Sequence, residues 1–168
     1  MTNDILSFLG DKHKFLQNTF PEHYKEYKSA VDIGLPLMLI NKLLIEKKEK
    51  ILASKYNVSH SEFDVLMSLL TLNKQLSPTE LYENMIFSSG GMTKVLKKLE
   101  IKNLIKRVPS KEDKRSLLVE MTQQGSKLTI EAFNEIAALT MSIFSTLEKK
   151  EQDVFEKILK KLLVQLNS

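Results

Sequence analysis

The stretch from Ser77 to Gly125 constrains the fold more than any other part of this chain, because helix starts, helix stops and strand signals follow one another at short spacing. Ser77-Pro78-Thr79-Glu80 is a capping box: the Ser77 hydroxyl accepts from the Glu80 backbone N–H, the Glu80 carboxylate reaches back, and Pro78 takes the first helical position. The helix it opens is short, ending near Asn84, and Met85-Ile86-Phe87 makes a turn. Ser88 or Ser89 is expected to cap a second helix running through Val95, Leu96 and Leu99 to Lys102. Asn103 is placed to stop it, since Asn tolerates the left-handed conformation that helix ends often need. Leu104 to Val108 reads as a strand ended by Pro109, residues 110–114 as a polar tip, and Arg115 to Thr122 as the returning strand. Two helices joined by a tight turn and followed by a hairpin form a winged helix-turn-helix.

The flanking sequence is helical. Leu39, Ile40, Leu43, Leu44, Ile51 and Leu52 recur at helical spacing between Pro36 and Tyr56, and Asn57-Val58 turns the chain. Ser59-His60-Ser61-Glu62 is another capping box, opening a helix through Phe63, Leu66, Met67, Leu69 and Leu70. Thr122 and Gly125 precede a long helix carrying Leu128, Phe133, Ile136, Leu139, Ile143, Phe144 and Leu147. A last helix, about 150–165, puts Val154, Phe155, Ile158, Leu159, Leu162, Leu163 and Leu166 on one broad stripe. Residues 1–32 are weakly patterned, a short helix or two with Pro21 opening a new segment. Five Gly and four Pro in 168 residues leave little room for the turns of an all-β chain. The fold class is therefore mainly α with a small β-hairpin wing.

Charge is concentrated in one sixth of the sequence. Between Ser88 and Arg115 stand Lys94, Lys97, Lys98, Lys102, Lys106, Arg107, Lys111, Lys114 and Arg115 against Glu100, Glu112 and Asp113, a net of +6, whereas the other 140 residues sum to −2. Such a patch attracts a polyanion, most obviously nucleic acid.

These residues resemble the MarR/SlyA family of transcription regulators. Val58 to Leu66 resembles that family's entry to the helix before the helix-turn-helix, and Leu76 to Leu81 its first helix. Thr93, Val95, Leu99-Glu100, Leu104-Ile105, Arg107, Asp113-Lys114-Arg115, Met121-Thr122 and Gly125 fall at the family's spacing for recognition helix, wing and the start of the long helix. The likeness spans about residues 36–166. Asn103 stands where the family has Gly, Lys114 where Arg is commoner, and Gly90-Gly91 is unusual at the recognition-helix start.

The resemblance implies a DNA-binding regulator, most often a repressor, acting as a homodimer on a pseudo-palindromic operator. Residues 1–57 and 124–168 would supply the dimerisation helices and 58–123 the DNA-binding lobe. Ser88, Ser89, Gly90, Thr93 and Lys94 would enter the major groove, with Lys97 and Lys98 one turn on. Arg115 would enter the minor groove, Asp113 would orient the wing, and Lys111 and Lys114 would touch phosphates, as would Ser77 and Thr79 at their helix N-terminus. A small-molecule effector would occupy a crevice for which Met38, Tyr56, Phe63, Met67 and Phe87 are candidates, although such residues at helical spacing more often belong to the core.

Other classes fit less well. His13, His23 and His60 lack metal-ligand spacing, so neither a metal nor another cofactor is expected. The absence of Cys excludes disulfides and thiol redox switching. Ser89 to Lys94 lacks the spacing of a phosphate-binding loop, no nucleophile elbow occurs, and the chain is not expected to be an enzyme. The longest apolar run, Ile33 to Ile40, is too short for a membrane span and the start does not read as a signal peptide, so a cytoplasmic location is expected. Two rivals remain: a protein–protein module on a winged-helix scaffold, and a non-specific DNA-compacting protein.

Overall fold

A computed structural model describes residues 2–72, 75–83, 91–110 and 117–167. The chain forms two compact units, residues 1–48 and 49–168.

The first unit is built from α1 (Thr2–Thr19), α2 (Tyr24–Ser29), a π-helical turn (Ala30–Gly34) and the start of α3 (Leu35–Ile51). A single 18-residue helix thus replaces the weak pattern expected for the first residues, and Pro21 falls in the break after it. Within this unit Asp32 accepts from Lys28 and pairs with His13 Nε2 at 3.0 Å, bracing the π-helical turn against α1. Among the described side chains of residues 4–48, none is buried.

The second unit holds the core. After α3 the chain makes a second π-helical turn, Leu52–Tyr56, which Asn57 ends in the left-handed region at φ 52. Then come α4 (His60–Leu72), α5 (Pro78–Glu83), α6 (Met92–Ile101), β1 (Ile105–Pro109), β2 (Leu117–Met121), α7 (Gln123–Phe144) and α8 (Lys149–Leu166). Leu52, Val65, Leu66, Leu76, Leu81, Leu96, Leu99, Ile105 and Val119 pack as fully buried side chains from the second π-helical turn, α4 to α6, the hairpin and the bridging Leu76. Each such Leu or Val contributes roughly 1.5–3 kcal/mol through the apolar area it removes from water.

Both expected capping boxes form. Glu62 N–H donates to Ser59 Oγ at 3.2 Å while Ser59 N–H donates to the Glu62 carboxylate at 2.6 Å, and Ser77 and Glu80 exchange bonds of 3.2 and 2.8 Å. The stop after α6 is a Schellman turn: Asn103 lies at φ 56, its N–H donates to Glu100 C=O, and Leu104 N–H donates to Leu99 C=O. The hairpin pairs Ile105 with Met121 through to Pro109 with Leu117. An unforeseen isolated bridge joins it, as Leu76 exchanges backbone hydrogen bonds of 3.1 and 2.7 Å with Val119. The start of α6 corrects the sequence reading. Its N-cap is Gly91 at φ 88, with no side-chain cap, and not Ser88 or Ser89. A left-handed residue cannot continue a right-handed helix, so Gly91 sets the boundary, and glycine bears that φ without a Cβ penalty.

Candidate nucleic-acid interface

The α6 helix is held by one face and offers the other. Leu96 and Leu99 are buried, and Met92 and Val95 pack against the core. Thr93, Lys94, Lys97 and Lys98 are exposed; i, i+4 spacing puts Thr93 beside Lys97 and Lys94 beside Lys98. No ion pair ties these three lysines to a carboxylate among the described residues. The helix is thus a basic rod fixed by its apolar side.

Other basic residues of the patch are already occupied. Lys106 Nζ lies 2.6 Å from Glu120 across the hairpin, and Gln75 donates to the same carboxylate at 2.5 Å. The Lys106 hydrogen bond holds Glu120 below the usual carboxylate range against the opposing effect of burial. Lys102 is turned inward onto Glu62, whose side chain is only 2% exposed, at 2.8 Å. Among the described residues of the patch, the lysines left without a carboxylate partner on α6 are Lys94, Lys97 and Lys98, all on its exposed face.

Ser77 is half-buried and its side chain serves the cap of α5, whereas Thr79, in the first turn of that helix, is exposed. Ser88, Ser89, Gly90, Lys111, Asp113, Lys114 and Arg115 lie outside the described residues, as does Phe87.

The described effector candidates differ in burial. Phe63 is buried in the core and Met67 packs beside it, while Met38 is exposed on α3 in the first unit. Tyr56 is partly buried, and its hydroxyl donates to Glu135 of α7 at 3.1 Å. Burial and that carboxylate raise the Tyr56 pKa, while the Lys55 ammonium, bonded to the other Glu135 oxygen, holds Glu135 low. The carboxylate thereby clamps the second π-helical turn to α7. Sequence reasoning missed this link because its partners are 79 and 80 positions apart.

Among the described residues, no three His, Asp or Glu side chains gather as a metal site, and no helix is long and apolar enough to cross a membrane.

Known proteins share this arrangement. Residues 47–132 match the family model described as transcriptional regulator SarA/Rot. The HTH-type transcriptional regulator PrsX of Escherichia coli is 31% identical over 113 residues, 67% of this chain and 68% of that protein. The chain belongs to the SarA/Rot family of transcriptional regulators, which are of the MarR winged-helix type. The HTH-type regulator SarZ of Staphylococcus aureus shares 26% identity with this SarA/Rot protein over 73% of the chain and 81% of its own length. In structure, apo MarR of Escherichia coli superposes with a TM-score of 0.65 at 25% identity, over 78% of this chain and 96% of MarR. A MarR-like regulator from Bacillus cereus superposes at 0.73 over 83% and 99%, and at 19% identity it speaks for the fold alone.

Proposed function

We propose that this SarA/Rot-family regulator binds double-stranded DNA as a homodimer, with α6 in the major groove and the hairpin beside it as a minor-groove wing. The observation that carries the reading is the exposed Thr93-Lys94-Lys97-Lys98 face on a helix whose opposite face is locked into the core. The basic side chains fit phosphates, and Thr93 fits either a base edge or a phosphate. Arg115, by resemblance, inserts into the minor groove, where a narrow groove favours a guanidinium. Ser88, Ser89, Gly90, Lys111 and Lys114 complete the contact set, Asp113 orients the wing, and Thr79 adds a phosphate contact.

Self-association is supported by apolar surface that the single chain leaves open. No residue of α8 is buried, and Val164 and Leu166 are 71% and 83% exposed. The first unit also exposes Phe8, Phe15, Ile33 and Met38. Surfaces of this kind mark protein–protein contacts. A two-fold dimer presents its two recognition helices about 34 Å apart, one DNA turn, and so calls for a pseudo-palindromic site. Occupancy of a promoter then represses by obstruction, and a small-molecule effector that favours another spacing of the lobes releases it.

The test is selection of bound sequences from random duplex DNA with the purified protein at near-physiological salt. An inverted repeat with half-sites about one turn apart is the expected result. Tight binding without any recovered sequence would replace this reading with DNA compaction, and absence of binding to any duplex would favour a protein–protein module.

A further inference from the structure

Lys102 is the C-cap of α6, and its ammonium makes two bonds away from the DNA-facing side. It donates to the Glu62 carboxylate at 2.8 Å and to the Asn57 carbonyl at 2.7 Å. Glu62 is almost wholly buried, and its other oxygen accepts from the Ser59 N–H. Asn57 is the left-handed residue closing the second π-helical turn. One side chain therefore joins three features: the end of the recognition helix, the capped start of α4, and the turn that Glu135 clamps to α7.

We propose that Lys102 is a positioning residue for DNA recognition, setting the pose of α6 through Glu62 and Asn57 and touching no phosphate itself. A buried carboxylate has a strong demand for its partner, because leaving it unpaired in a low-dielectric site is costly. Its partner is therefore held in one place, and so is the helix end that carries it. A rotation of α6 by a few degrees moves Thr93 and Lys97 relative to base edges, while a mobile chain of surface lysines still finds phosphates. Loss of the clamp thus erodes sequence preference before it erodes general affinity.

The inference rests on the DNA-binding reading above, and two measurements separate their fates. In the free protein, Lys102→Met is expected to speed amide exchange at Asn103 and Leu104 by about tenfold, because the helix end loses its anchor. Unchanged exchange would overturn the proposal without any reference to DNA. On DNA, binding to the selected duplex and to a scrambled duplex is measured against salt for wild type, Lys102→Met, Lys102→Arg and Lys98→Ala. Lys102→Met is expected to weaken the selected duplex by about tenfold or more and the scrambled one by less than about threefold, with an unchanged salt slope. Lys98→Ala is expected to weaken both and to lower the slope by about 0.9. Lys102→Arg, which keeps a cation able to bridge both acceptors, is expected to restore most of the preference. A flattened slope with equal losses on both duplexes would make Lys102 a phosphate contact and overturn the proposal.

Glu62→Gln/Lys102→Met removes the orphaned charge and covers the case in which Lys102→Met fails to fold. It is expected to fold and still lose preference, and full recovery of selected binding would show that only the unpaired carboxylate mattered.

Discussion

Gly125 sits in the first turn of α7, where an added Cβ would stand 2.1 Å from the Leu104 carbonyl oxygen and 3.2 Å from Met121. The approach is close because Thr122, the N-cap, donates its hydroxyl to Asn103 C=O at 2.8 Å and its N–H to Leu104 C=O at 3.1 Å, drawing the helix start onto the Schellman turn. The same hydroxyl oxygen accepts from the Gly125 N–H at 2.9 Å. Gly125→Ala is expected to cost about 1–3 kcal/mol, since backbone on both sides must shift. Urea unfolding at fixed pH reads this as a lower midpoint, and an unchanged midpoint would mean that the turn yields freely. The sequence marks Thr122 and Gly125 as the entry to a helix, but the reason for the glycine is a carbonyl 21 positions away.

Between elements, the Glu62–Lys102 pair gives the second unit an acid-sensitive joint between α4 and the end of α6. Burial alone raises the Glu62 pKa, but hydrogen bonds from Lys102 and the Ser59 N–H outweigh it and hold the group below its ordinary 4.5. The unfolded chain therefore takes up this proton at higher pH than the folded one. The pair's stabilisation is complete above pH 4.5 and is lost as pH falls through the lower folded value. Glu62→Gln/Lys102→Met is expected to show a shallower fall in stability below pH 4.5 than wild type, measured as urea midpoints across a pH series. Equal steepness would assign the acid limb to other carboxylates. Local signals made much of this region legible: each capping box spans four residues, and Asn103 needs only the last turn of α6. The α6 start was misread because Ser88 and Ser89 are good caps in isolation, whereas the left-handed φ of Gly91 decides where helix geometry begins.

At the scale of the whole molecule, α8 exposes Ile158, Leu162, Leu163, Val164 and Leu166, and no residue of it is buried within the chain. Covering that stripe in a dimer removes a large apolar area from water. Wild type is expected to sediment at twice the 19.3 kDa of one chain. Leu163→Glu/Leu166→Glu is expected to shift it toward the single-chain mass while leaving helicity largely intact, because Leu163 and Leu166 are 59% and 83% exposed in the single chain. A wild type that sediments as one chain would remove the dimer from the proposed function. The stripe itself is legible in the sequence as a helical repeat, whereas its exposure is not, since periodicity reports which residues share a face and never what that face meets.

The sequence by itself determined the order of elements from α4 to α8, the hairpin, both capping boxes, the left-handed stop at Asn103 and the basic character of the segment after Ser88. All of these depend on residues within a few positions of one another, where helix and strand geometry fixes who meets whom. Tertiary structure decided which charges remain available. Lys102 and Lys106 look in sequence like their neighbours Lys97 and Lys98, yet one meets Glu62 and the other Glu120. Tertiary structure also supplied the Leu76 bridge to the hairpin and the Glu135 clamp on the second π-helical turn. The physical reason is common to these cases: a carboxylate or backbone edge 14 to 80 positions away carries no short-range signature, and only packing brings it within hydrogen-bond distance.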